Sequence, residues 1–160
     1  MPLRYDLPSV KREDLPVRLV AALGALLVLS STVAFAGDLT VTFVGVRSDK
    51  GKISAALFGE KDGWPDGKAF KEVDVPAKAG DVDYTFKGLQ PGRYAISYFH
   101  DENNNGKFDK NVVGMPKEGF GFSNDAKPGL SSPSFAAAAF TVGDGPSAIK
   151  MHVDYWSSTR

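Results

Sequence analysis

The chain has 160 residues, with 19 Lys and Arg against 19 Asp and Glu, and no cysteine. Balanced charge without a block of one sign gives no sign of electrostatic capture of nucleic acid or an anionic membrane. The missing thiol excludes disulfides, thiol catalysis and a lipid-modified N-terminal cysteine.

The N-terminal segment presents Lys11, Arg12 and Arg18, then the apolar run Leu19–Leu29, then Ser30, Ser31 and Thr32, and finally Ala34-Phe35-Ala36. Positive, apolar, small-x-small is the order of a secretory signal. The apolar run has about eleven residues where roughly twenty are needed to cross a bilayer, so cleavage after Ala36 is expected rather than an uncleaved signal anchor. Residues 37–160 then form one domain, periplasmic or secreted, large enough to bury a core without a staple.

From Gly37 the pattern alternates with period two, which predicts strands with one buried face. A first strand spans about 38–46, with Leu39, Val41 and Phe43 on one face, and Asp49-Lys50-Gly51 turns the chain. A second spans 52–58 and precedes a Gly/Pro-rich loop through Trp64-Pro65. Residues 70–75, then Val82, Tyr84 and Phe86, give a hairpin. Pro91-Gly92 leads into a fifth strand with Tyr94, Ile96 and Tyr98 alternating, where Tyr94 resembles a tyrosine corner. Two more strands, about 136–142 and 148–155, close the chain. The first of these contains Ala136–Ala139, whose alanines favour a helical turn while Phe135, Phe140 and Val142 favour strand. The expected fold is all-β, an antiparallel immunoglobulin- or prealbumin-like sandwich of about seven strands, with a small barrel as the alternative.

Residues 100–134 lack strand periodicity and are rich in Gly, Asn, Pro and Asp. A loop this long inside a compact domain is usually functional, and its apolar residues predict an ordered one. It opens with D-x-N-x-N-G-x-x-D. Asp101, Asn103, Asn105 and Asp109 place oxygen-bearing side chains where Ca²⁺ takes ligands, Lys107 offers its backbone carbonyl, and Gly106 permits the bend. Val112 replaces the usual twelfth-position carboxylate, so weak affinity is expected unless Glu118 or Asp125 folds back to join. A bare Asn/Gly turn needing no ion is the competing reading. His100, Asp101 and Glu118 also suggest a metal-assisted envelope hydrolase, though no Ser-His-Asp arrangement accompanies them. Trp64, Tyr98 and Trp156 are candidates for a ligand surface, or for core and rim.

Three stretches carry a family resemblance: Leu89-x-Pro91-Gly92-x-Tyr94-Ala95-Ile96, His100-Asp101-Glu102-Asn103-x-Asn105-Gly106-Lys107-x-Asp109, and Gly114-x-Pro116-x-Glu118-Gly119-x-Gly121-Phe122-Ser123-Asn124. Together they resemble the DUF2141 family of exported bacterial proteins. The resemblance implies an exported β-sandwich and one motif-bearing loop system, and it brings no activity, substrate or catalytic residue. The expected role is therefore a binding or structural module whose partner is an envelope protein, a glycan or a small ligand.

Overall fold

Burial alternates along strand β1, Gly37–Val46, where Leu39, Val41 and Phe43 are fully buried and their neighbours are not. This is the period-two pattern of a sheet with one dry face. The structure is a computed structural model and describes residues 36–156. All of the secretory signal read in residues 1–36, except Ala36, lies outside the described residues.

The strands that follow are β2 (Lys52–Gly59), β3 (Lys71–Pro76), β4 (Gly80–Leu89), β5 (Gly92–Asp101), β6 (Phe120–Phe122), β7 (Phe140–Val142) and β8 (Ser147–His152). They form two sheets, β4-β1-β8 and β3-β2-β5-β6, with β7 also on β5. The core lies between them. Phe43 and Phe86 from one sheet meet Ile53, Leu57, Ile96 and Tyr98 from the other, and the Phe43 and Tyr98 rings sit 5.0 Å apart, edge to face. Each such side chain contributes about 1.5–3 kcal/mol by leaving water. The result is an all-β sandwich.

Four expectations need correction. The described residues hold eight strands rather than about seven, because Phe120–Phe122 pairs with β5 inside the stretch expected to be loop. The same stretch loses its first two residues to β5, which ends at Asp101. The sheets are not wholly antiparallel: β8 runs parallel to β1, pairing Leu39 with Ser147 through Val44 with His152. The chain reaches β8 from β7 in the opposite sheet, so no hairpin dictates the sense of pairing. Finally, Phe135–Ala138 is a helical turn and only Phe140–Val142 is strand. Ser134 caps the turn by accepting the Ala137 N–H, and the alanines supply helix propensity.

Tyr94 does form a corner. Its hydroxyl donates to the Gln90 carbonyl at 2.9 Å and ties the Pro91-Gly92 turn to β5.

Candidate functional site

The D-x-N-x-N-G loop leaves β5 at Asp101, which is fully buried. Its carboxylate accepts the N–H groups of Asn105 at 3.0 Å and Gly106 at 2.8 Å, curling the chain around it. Asn104 and Gly106 take the left-handed backbone that this curl requires. Asn103 Oδ1 accepts the Asn105 N–H, and Asn105 Oδ1 accepts the Lys107 N–H. Both side-chain amides converge on Asp109 Oδ2, at 2.8 and 3.0 Å. Four of the five predicted ligands, Asp101, Asn103, Asn105 and Asp109, are thus linked through one network, and Lys107 extends it through its backbone.

Of the two acids expected to fold back, Glu118 does and Asp125 does not. Glu118 is 4% exposed, and its Oε2 accepts the Asp109 N–H at 2.9 Å. Its Oε1 is buried without a hydrogen-bond partner among the described residues. The Glu102 backbone N–H favours the ionised carboxylate. Burial pushes the Glu118 carboxyl upward, and the charges of Asp109 and Asp101 push the same way. A buried carboxylate with one oxygen unpartnered, acted on by the charges of two other acids, is an environment a divalent cation would relieve. An open cleft of about 560 Å³ leads to it, lined by Arg47, Lys50, Glu102, Asn103, Asp109, Lys117 and Glu118. No three His, Cys, Asp or Glu side chains among the described residues form a ready-made metal cluster.

His100 is held differently. It is fully buried, with Nε2 2.6 Å from the Lys50 carbonyl and Nδ1 2.7 Å from the Tyr155 hydroxyl. A carbonyl only accepts, so Nε2 carries the proton. The Tyr155 hydroxyl accepts the Arg47 N–H at 3.0 Å and donates to Nδ1, which satisfies every group with a neutral ring. Arg47 also stacks on the Tyr155 ring and forms a bidentate pair with Glu102. His100 thereby joins the 49–51 turn, β5 and the C-terminal segment, and it presents no free nitrogen to an ion or substrate.

The residues after Glu118 are positional. A Cβ on Gly119 would collide with the Tyr155 ring, and one on Gly121 with the Tyr98 hydroxyl. Ser123 is fully buried: its hydroxyl accepts the Ile96 N–H at 2.9 Å and donates to the Ala138 carbonyl at 2.6 Å. It fills the gap where the free side of β5 passes from β6, on residues 97–99, to β7, on residues 92–94. Asn124 Nδ2 donates to the Ala139 carbonyl, and Asp125 accepts the His152 N–H and faces its ring. Sequence reasoning assigned Asp125 to the loop and missed this latch to β8. Among the aromatics, Tyr98 is core, Trp64 packs edge-to-face on Phe58 and Phe122, and Trp156 is exposed.

These features define a cysteine-free β-sandwich in which a buried acid closes an oxygen-rich loop. The family described as "Uncharacterized protein conserved in bacteria (DUF2141)" matches residues 41–150, and the chain belongs to it. No curated protein and no solved structure was found to match.

Proposed function

We propose that this domain is an exported binding or structural module whose 101–118 loop system is ordered by Ca²⁺. Asp101, Asn103, Asn105, Asp109 and Glu118 supply side-chain oxygens, and Lys107 its carbonyl, giving the six or more hard ligands calcium takes. The observation that carries the reading is the buried, unpartnered Oε1 of Glu118. That acid supplies the carboxylate missing at the twelfth position, and it moves the expected affinity away from the weakest calcium modules. The hydrolase reading finds less support, because both nitrogens of His100 are engaged in holding the fold.

The test is a thermal melt of the purified chain in chelator, 10 mM magnesium and 10 mM calcium (concentrations on the order of those saturating weak modules), with calorimetric titration alongside. At about one hundred times Kd, calcium adds roughly 2.7 kcal/mol, or about 10 °C in Tm for a domain of this size. Magnesium is expected to do less, since it needs a tighter octahedron. Identical melts in all three, with no binding heat, would defeat the calcium reading. The export reading has its own check: intact mass of the protein recovered outside the cytoplasm is expected to begin at Gly37.

A further inference from the structure

Beyond Asp109 the chain runs out and back as a short hairpin in which Lys110 bridges to Pro116. Asn111 fixes it. Its N–H donates to the Met115 carbonyl at 2.8 Å and its own carbonyl accepts the Gly114 N–H at 2.9 Å. Its side-chain oxygen accepts the N–H groups of Val113 and Met115 at 3.0 and 2.9 Å. The turn held by these bonds projects Val112 at 104% and Val113 at 75% relative exposure, and a second tip projects Leu130 at 112%. Lys110 and Ser132, each two residues from an exposed aliphatic, line one groove of about 290 Å³ together with Asp66, so both tips border that groove.

Aliphatic side chains held outward on an ordered turn raise the free energy of the domain in water, and a turn alone does not require them. Three exposed lysines, Lys107, Lys110 and Lys117, accompany the tip, and none forms a salt bridge among the described residues. The acids of the same hairpin are turned to its base: Asp109 receives the Asn103 and Asn105 amides, and Glu118 is buried. We propose that this end of the domain seats on an anionic phospholipid bilayer, with Val112, Val113 and Leu130 entering the headgroup region and the lysines meeting lipid phosphates. A convex aliphatic tip flanked by basic groups suits a soft, negatively charged interface. The overall charge balance does not oppose this, because salt confines the attraction to about 10 Å from the lysines. The contact is peripheral: no helix among the described residues is long and apolar enough to cross a membrane.

The absence of cysteine allows a single environment-sensitive dye at Val112→Cys. The labelled full chain, as the cell processes it, is mixed with phosphatidylcholine vesicles with or without about 30% phosphatidylglycerol. A blue shift is expected only with the anionic vesicles and is expected already in chelator, which separates it from the calcium reading. Its apparent affinity is expected to fall roughly tenfold or more in Val113→Asp/Leu130→Asp, where apolar contact is replaced by like charge. A dye at Lys87→Cys on β4 is expected to stay unshifted, which distinguishes insertion of the tip from tethering by residues upstream. No shift with anionic vesicles, an equal shift with neutral ones, or a shift that grows with protein concentration without lipid would overturn the proposal. The last of these would mark a contact between copies of the chain.

Discussion

Glu118 Oε2 accepts the backbone N–H of Asp109 at 2.9 Å, while Oε1 of the same carboxylate is buried without a hydrogen-bond partner among the described residues. One acid thus closes the base of the hairpin and faces the oxygen-rich loop. The charges of Asp109 and Asp101 both act on Glu118, and the only cationic side chain paired with any of the three acids among the described residues is Lys52, 3.8 Å from Asp101. A bound calcium ion, as proposed, would turn that repulsion into attraction.

Glu118→Gln is expected to remove most of the calcium-induced rise in Tm while leaving the melt in chelator unchanged or slightly higher. The amide keeps an acceptor for the Asp109 N–H and removes a buried charge whose ionisation burial disfavours. Paired melts in chelator and calcium read both effects. A variant that melts several degrees lower in chelator yet keeps the full calcium response would show that Glu118 serves the fold and not the ion.

Ser123→Ala is expected to destabilise the domain by about 2–4 kcal/mol, because the Ile96 N–H and the Ala138 carbonyl each lose a buried partner. Denaturant unfolding checks it: the midpoint should fall with little change in slope. A loss below about 0.5 kcal/mol would mean that the β6-to-β7 gap in β5 is satisfied in some other way.

The early strands were legible because alternation in Leu39-Val41-Phe43, Ile53-Ala55-Leu57 and Tyr94-Ile96-Tyr98 matches the buried face of each. Phe120–Phe122 was not, because three residues are too few to show a period and its Gly121 contributes no side chain. The helical turn at Phe135 had its signal in Ser134, a capping residue ahead of the four alanines Ala136–Ala139, which the flanking aromatics outweighed. The parallel pairing of β8 with β1 depends on a crossing between sheets that no local pattern records. At the site, the spacing of Asp101, Asn103, Asn105 and Asp109 was legible. The return of Glu118 was open as one of two choices, because the eight residues separating it from Asp109 close only through the Asn111 turn. The loss of Asp125 to His152 followed from the unforeseen placement of β8.

Gly121→Ala is expected to destabilise by roughly 2 kcal/mol or more, since its methyl group would meet the buried Tyr98 hydroxyl. Tyr98→Phe removes that oxygen together with its 2.7 Å bond to the His152 carbonyl. Gly121→Ala/Tyr98→Phe should therefore cost less than the two single changes added. Additive losses in a double-mutant cycle would show that the clash lies with the Tyr98 ring carbon and the His152 carbonyl, which Tyr98→Phe leaves in place.

The last prediction concerns pH and the Asp125–His152 latch. Burial pushes the Asp125 carboxyl upward, but bonds from the His152 N–H and ring and the nearby Lys127 charge outweigh it, leaving the pKa below its ordinary 3.8. A carboxyl lowered by folding contributes stability that is present above that ordinary value and is lost as pH falls through the folded pKa. Asp125→Asn removes the titration while keeping an acceptor for the His152 N–H and a residue type tolerant of the left-handed backbone found there. At neutral pH the variant should melt a few degrees below the wild type, as expected for loss of about one charge-assisted hydrogen bond at a half-exposed site. The gap should narrow as pH falls below about 4 and close once pH passes below the lowered pKa of the folded carboxyl, where the wild type is protonated. Melts of both proteins across pH 2.5–7.5 (a range of roughly five pH units spanning the carboxyl titration) decide it. A gap that stays constant through the acid range would show that the latch holds by shape alone, with the charge of Asp125 contributing nothing.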